Sequence, residues 1–443
     1  MTRFRLSLVC ALISTALPVY AQNLQELYEA ARGYDAAYMS AKAQAEANVF
    51  LSQEAKASIL PTVNLTANQQ SGQFNVIDTT APAGTLNNRT FVNSGASLSA
   101  SQPLYRPSNL ASYEQGKRQA DVAREQLLTA EQDLIVRTST AYFDVLNAQD
   151  TLTFVQAQKA AVSEQLASAK RNFEVGTATI TDTREAQARY DLVLAQEIAA
   201  DNDLRVKRLA LDQLVGKAQV QPKALSTTQL PNLLPNDVNA WITQAVDSHP
   251  QIRQLRISLE VAELEVAKAE AGHKPTVDLT ASYAYQDASN GTTVSAVTSK
   301  TTTGIVGVSM TLPLFAGFFT QNRIKETLAL KEKVRNDLEA AIRTVSQATR
   351  AAFFGVSSGL GQVKALEAAE SSSQLALDAN KLGYQVGVRI NIDVLNSQSQ
   401  LFQTKRDLAK ARYDVLVGGL KLRQANGTLK AEDIAPVNAL LAK

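Results

Sequence analysis

The side chains that could do chemistry cluster in two short stretches of this 443-residue chain. "NFEVGTATITD" (172–182) ends in Thr181 and Asp182, while "GYQVGVRINID" (383–393) carries Tyr384, Arg389 and Asp393, with Asn396 three residues on. Each stretch breaks a helical pattern without a proline, at Gly176 and at Gly387. Glycine ends a helix at low cost because it adopts the left-handed conformation. Asp393 and Asn396, three apart at the start of a new helix, share one face. Local roles are open too: Asp182 with Glu185 fits a capping box, and Arg389 fits a solvated turn residue.

Catalytic chemistry finds little support elsewhere. The two histidines, His249 and His273, have no second histidine or acidic triplet at ligand spacing, so each reads as a surface or helix-end residue. There is no Gly-rich phosphate loop, nucleophile elbow or metal motif, and no carboxylate pair stands out as acid and base. The residues therefore predict a protein that is not an enzyme and needs no cofactor. Arg3 and Arg5 precede an apolar run from Leu6 to Leu17, closed by "VYA", which predicts a secretory signal cleaved after Ala21. Cys10, the only cysteine, lies inside that signal, so the exported chain has no disulfide or thiolate metal site. The 44 basic residues less Arg3 and Arg5 leave 42 against 42 acids, a balance that argues against a nucleic-acid partner. No later segment offers the roughly 18 consecutive apolar residues of a transmembrane helix. A membrane span would have to be made of β-strands.

The elements that must position the two stretches are written twice. Phe173 pairs with Tyr384, Gly176 with Gly387 and Asp182 with Asp393, each 211 residues apart. "LPTVNLTAN" (60–68) matches "KPTVDLTAS" (274–282), and "QPLY" (102–105) matches "LPLF" (312–315). Each half predicts helix, strand, strand, long helix, break, helix. The first helices run over about 24–58 and 238–271, and the first long helix over about 107–174. Along it Leu134, Thr138, Ala141, Val145, Ala148, Leu152, Val155, Lys159, Val162, Leu166, Ala169 and Phe173 step by four and three, a coiled-coil seam. The same positions 211 residues later, from Val345 to Tyr384, form a second seam with more small and polar members.

Between first and long helix of each half the period becomes two. Val277, Leu279, Ala281, Tyr283 and Tyr285 share a face, as do Val306, Val308, Met310, Leu312 and Leu314. Val63, Leu65 and Ala67, then Val92, Ala96, Leu98 and Ala100, repeat this in the first half. Each run has about the 9 to 11 residues of a tilted transmembrane strand. Pro61, Pro103, Pro275 and Pro313 stand where strand meets helix, with Tyr105, Phe315, Phe318 and Phe319 as a candidate interfacial girdle. Four strands cannot close a barrel, so strands in a membrane would require oligomerisation. The other reading is a soluble antiparallel sheet covered by helices.

In "TAYFDVLNAQDTLTFVQAQKAA" (140–161), "NFEVGTATITDTREAQARYD" (172–191), "GHKPTVDLTAS" (272–282), "GYQVGVRINIDVL" and "ARYDVLVGGLKLRQANGTL" (411–429) the chain resembles the TolC family of outer-membrane channel-tunnels, from about residue 22 to its end. The resemblance implies an α+β fold: a homotrimer in which four transmembrane β-strands per chain make a 12-stranded barrel, with a coiled-coil α-helical barrel reaching into the periplasm. It implies a signal at 1–21, a first repeat at 22–216 (strand pair 62–104, tip 176–182) and an equatorial linker at 217–240. A second repeat at 241–427 (strand pair 276–314, tip 387–393) and a C-terminal equatorial segment at 428–443 follow. The implied function is a passive outer-membrane exit duct for efflux or type I secretion. Its implied partners are outer-membrane lipid, a periplasmic membrane-fusion adaptor at Gly176 and Gly387, and an inner-membrane pump, proton-driven or ATP-binding. By position Thr181, Asp182, Tyr384 and Arg389 are the gate latch. Asp393 takes the first place in a double aspartate ring at the entrance, but the second is Asn396. Three carboxylates instead of six imply weaker plugging by polyvalent cations, since close like charges raise one another's pKa and attract such ions. A trimeric coiled-coil scaffold is the rival reading; it accounts for the seams but not for the paired strands or the repeated breaks.

Overall fold

Helical and two-residue periods divide the chain into the predicted kinds of element. The computed structural model describes residues 22–75, 89–226, 230–292 and 297–442, so the predicted signal and much of the first strand connection lie outside the described residues. The elements are α1 (Leu24–Tyr34), α2 (Ala36–Ala57), β1 (Thr62–Phe74), β2 (Arg89–Tyr105), α3 (Pro107–Glu174), α4 (Ile180–Val215), α5 (Val238–Ser248), α6 (Pro250–Glu270), β3 (Thr276–Ser289), β4 (Ser299–Thr311), α7 (Phe319–Gln385), α8 (Asn391–Ala425) and α9 (Ile434–Asn438). Among the described residues no helix is long and apolar enough to cross a membrane.

Each first helix, predicted as continuous, is broken once. Asp35 leaves the helical region at ψ 117°, and its carboxylate accepts the amide of Tyr38 at 2.8 Å, so it caps α2. Arg137 donates to the same carboxylate at 2.9 and 3.0 Å. In the second half His249 precedes Pro250, and a residue before proline is pushed out of the helical region. His249 Nδ1 accepts the amide of Gln251 at 3.2 Å, which makes it the helix-end residue its sequence context suggested.

Two units divide the chain, cutting across the two repeats. One comprises Met1–Met39, Ala130–Ala245 and Val345–Lys443; the other comprises Ser40–Thr129 and Val246–Thr344. In the first, the seam of α3 is buried at Leu134, Thr138, Val145, Ala148, Val155, Val162, Leu166 and Ala169, while Phe173 at its end is exposed. Val155, Val162, Leu166 and Ala169 pack with Ala186 and Val193 of α4 and Leu395 of α8. Leu377 of α7 packs with Val394 and Leu401 of α8. Each of the valines and leucines among these contributes about 1.5–3 kcal/mol on burial. Lys159 is tolerated in the seam because Glu197 of α4 accepts its charge. The linker and the C-terminal segment meet at an antiparallel bridge, Leu225 to Leu441, and Tyr142 ties the linker down by donating to the Lys223 carbonyl at 2.9 Å.

The second unit holds one four-stranded antiparallel sheet in the order β1-β2-β3-β4. Its register sets Val63 against Ala100, Ala100 against Ala281 and Ala281 against Val306, an apolar row across all four strands. Leu65, Leu98 and Tyr283 form the next row, while Asn64, Ser99 and Ser282 share the opposite face. The apolar face is uncovered: Leu65 is 74 % exposed and Val306 77 %. β4 ends at Thr311, so Leu312 and Leu314 fall outside the strand, because Pro313 has no amide to donate. At the helix-proximal end of the sheet Arg106 donates to both carboxylate oxygens of Asp278, at 2.7 and 2.6 Å.

Two outcomes follow. Arg106→Ala leaves the largely buried Asp278 without its partner and costs about 1–3 kcal/mol. Asp278→Asn added to it recovers part of that loss in thermal unfolding of the detergent-solubilised protein. In the helical unit Tyr413 donates to Asp150 at 2.6 Å, and burial pushes the Asp150 carboxyl above its usual range although the Tyr413 bond opposes this. A carboxyl raised on folding stabilises fully below its unfolded pKa, and that contribution is lost as pH rises through the raised value. Asp150→Asn keeps an acceptor for Tyr413, so its melting temperature should fall less than that of the wild type as pH is raised above about 4.

Candidate functional site

α3 and α7 stop in the same way. Gly176 and Gly387 take left-handed φ values of 80° and 79°. After α3 the amide of Thr177 donates to the Asn172 carbonyl at 2.8 Å and that of Gly176 to Phe173 at 3.0 Å. After α7 the amide of Val388 donates to Gly383 at 2.9 Å and that of Gly387 to Tyr384 at 3.2 Å. This pair of bonds is the Schellman motif, which satisfies carbonyls that a helix end leaves free. An added Cβ would meet nothing within 4 Å at either glycine, so the positive φ, not crowding, selects glycine.

The chain re-enters helix sooner than the predicted tips of 176–182 and 387–393 allow. α4 starts at Ile180 and α8 at Asn391, which puts Thr181, Asp182 and Asp393 in first turns. The capping box therefore pairs Thr179 with Asp182, not Asp182 with Glu185. Thr179 donates its amide and hydroxyl to Asp182 Oδ2 at 2.9 and 2.8 Å, and the Asp182 amide donates to Thr179 Oγ1 at 3.2 Å. α8 has Ile390 at its cap, which offers no side-chain bond. There Asp393 supplies the negative charge that a helix N-terminus favours, and Arg389 lies 3.6 Å from it. The Arg389 stem runs over Gly383, where a Cβ would come within 2.7 Å of its Cγ.

The two turns are joined, and Tyr384 is the one side chain among Thr181, Asp182, Tyr384 and Arg389 that takes part. Tyr384 accepts from Asn172 Nδ2 at 3.3 Å; the Asp182 carboxylate is engaged by Thr179, and the nearest charge to Arg389 is Asp393. Among the described residues of one chain, no bond links Thr181 or the Asp182 carboxylate to Tyr384 or Arg389. Asn391, fully buried, makes the link instead: Nδ2 donates to the Asp182 carbonyl at 3.3 Å, and Oδ1 accepts from Gln165 of α3. Asn396 accepts from Arg189 of α4 at 2.8 Å. The sequence signal for Asn391 is slight, a single amide between Ile390 and Ile392; for Arg189 and Gln165, two polar residues on polar helices, there is none. No three His, Cys, Asp or Glu side chains group into a metal site among the described residues. Asp393 offers one carboxylate per chain, so polyvalent cation binding there needs other copies.

The family model described as outer membrane efflux protein matches residues 27–217 and 241–428, one match to each repeat. The chain is 34 % identical over 430 residues to the outer membrane protein TolC of Vibrio cholerae, covering 97 % of this chain and 96 % of that one. It is 30 % identical over 424 residues to the alkaline protease secretion protein AprF of Pseudomonas aeruginosa, covering 95 % and 87 %. The solved structure of the Campylobacter jejuni CmeC outer membrane channel aligns with a TM-score of 0.79 over 95 % of this chain and 90 % of that one, at 16 % identity, a likeness of fold. This is a family of channels, not of enzymes. With matches across both repeats and nearly the full length, the chain belongs to the outer membrane efflux protein family and is an exit duct of the outer membrane.

Proposed function

We propose that the duct is a passive homotrimer whose gate lies at the Gly176 and Gly387 turns. The observation that carries this is the sheet. Its apolar face is uncovered, and β1 and β4 each have one edge without a partner among the described residues. In hydrocarbon only further copies satisfy those edges, and three copies of four strands make a 12-stranded barrel. The helices of three copies then line a tunnel into the periplasm. Likeness to TolC and to a protease secretion protein supports export of small molecules, polypeptides or both. The energy comes from an inner-membrane pump, proton-driven or ATP-binding. A periplasmic membrane-fusion adaptor couples it at the turns, where Val175, Val386 and Val388 are exposed.

Because Asp182 and Arg389 do not meet within one chain, the latch of Thr181, Asp182, Tyr384 and Arg389 acts where copies touch. Three Asp393 carboxylates around the axis narrow the entrance and hold polyvalent cations, each partly neutralised by its own Arg389 at 3.6 Å. Asn396 leaves the second ring position uncharged. A coiled-coil scaffold would not expose an apolar sheet face.

Planar-bilayer conductance tests the reading. Wild-type trimers should show a small resting conductance, and Arg389→Ser with Tyr384→Phe should raise it several-fold. Conductance unchanged in that variant would exclude the latch, and none in either would exclude the duct. Asp393→Asn should weaken block by a trivalent cation, whereas Arg389→Ser alone, which strips Asp393 of its counter-charge, should strengthen it. Block of Asp393→Asn at wild-type concentrations would remove Asp393 as the cation site.

A further inference from the structure

Gly418 and Gly419 stand side by side inside α8, where glycine is less stable than alanine. Gly418 has a steric reason, since an added Cβ would come within 3.3 Å of Val356 Cγ2 on α7. At Gly419 an added Cβ would meet nothing within 4 Å, so no neighbour in the chain asks for glycine there. What Gly419 borders is a cavity of about 130 Å³ between α7, α8, α9 and residues 231–234 of the linker. Leu233, Trp241, Val356, Leu416 and Val437 make its apolar wall, and all of these but Leu233 are buried. Leu234 also lines it, 76 % exposed, an apolar surface that an occupant would cover.

A cavity of this size takes one ring: an apolar cavity of about 150 Å³ engineered into another protein binds benzene. Trp241 Nε1 is committed to the Pro235 carbonyl at 2.9 Å, so what Trp241 offers an occupant is its ring. An aromatic neighbour gains more from that ring than an aliphatic one does. The polar part of the wall is an ion pair, in which Arg423 Nη1 donates to Asp433 Oδ1 and Asp433 Oδ2 accepts the amide of Lys430 at 2.9 Å. An anionic head group would meet Asp433, and a cationic one would meet Arg423. A neutral hydroxyl suits both, because it accepts from a guanidinium and donates to a carboxylate.

We propose that this cavity binds a small neutral phenol, its ring against Trp241 in the space that Gly419 leaves open and its hydroxyl on the Arg423–Asp433 pair. Bound there, the phenol touches the linker, α7, α8 and α9 at once and fastens the equatorial segments to the two helices. A ligand held by the folded chain alone stabilises it in proportion to the logarithm of its concentration. The site lies near the C-terminal end of α8, away from the turn that precedes its first residue, and does not depend on the gate.

Trp241 is the only tryptophan of the chain, so its emission reads the cavity directly. Phenol titrated onto the full-length protein in detergent should change that emission saturably, with a midpoint on the order of 1 mM. The melting temperature should rise over the same range. Benzoate and benzylammonium at neutral pH carry a charge on the same ring and should bind about tenfold more weakly. Toluene, which lacks the hydroxyl, should bind about fivefold more weakly. Arg423→Leu with Asp433→Leu should remove the advantage of phenol over toluene. Gly419→Leu, which grows a side chain into the cavity, should abolish the response, and the smaller Gly419→Ala should weaken it while raising the melting temperature. An emission change that never saturates, or one that persists unweakened in Gly419→Ala and Gly419→Leu, overturns the site. Equal binding of phenol and benzoate overturns the role of the ion pair. Loss of trimer in Gly419→Leu on size exclusion would mean that a side chain of a neighbouring copy fills the cavity, which overturns the phenol as its occupant.

Discussion

A strand edge in hydrocarbon leaves a row of amide and carbonyl groups with nothing to bond, at several kcal/mol each. The sheet of this chain meets that constraint on its inner strands and not on its outer ones. β2 and β3 are bonded on both sides, whereas β1 and β4 have one bonded side each among the described residues. The face that would carry lipid is already built, with Leu65, Val306 and Val308 exposed on one side of the sheet. Copies added edge to edge complete the backbone bonding and, by the same symmetry, bring one copy of every turn residue around a common axis. Asp393 acquires its meaning there: alone it is a first-turn carboxylate favoured by a helix dipole, and in threefold symmetry it is a ring.

The same symmetry sets what a latch within one chain has to do. Bonds that each copy makes internally fix the angle between its own α8 and α4, while bonds between copies fix the aperture. Towards the turns, amide groups make links from α8 to α3 and α4, through Asn391, Asn396 and Gln158. None of these amide acceptors titrates in the physiological range, so the links near the turns do not change with the proton concentration, whereas the Tyr413 bond to Asp150 further along α8 ends on a titratable carboxyl. Such acceptors are also weaker partners for a guanidinium than carboxylates. These links near the turns are firm towards pH.

Much of this fold was legible because a physical rule ties residue type to geometry. Alternation in "TVDLTASYAYQ" gave the strand and its face, since side chains on a strand alternate sides. Pro61, Pro275 and Pro313 marked strand ends because proline cannot donate to a ladder. Gly176 and Gly387 marked the turns because left-handed φ selects glycine. What escaped lacked such a rule. Asp35 and His249 break helices whose apolar period continues through them, so only their local capping bonds reveal the break. The box at Thr179 was misplaced by one turn because Thr179 and Asp182 both suit a cap, and the actual helix start decides between them. Asn391 and Arg189 act through partners over 200 residues away, and no local pattern encodes a contact that distant.

Asn396 shows how far a change of one atom reaches. Read along the sequence it is a missing carboxylate in a ring. In the structure its carbonyl oxygen is committed to Arg189 of α4, so the position serves the frame within the chain. A carboxylate there would pair with Arg189, and its charge would be largely spent before it faced the lumen. In the proposed ring, charge and internal clamping would thus be coupled at this residue: whatever strengthens the hold on Arg189 would reduce the negative field at the entrance. An amide separates the two, giving Arg189 a neutral partner and leaving the charge of the proposed ring to Asp393.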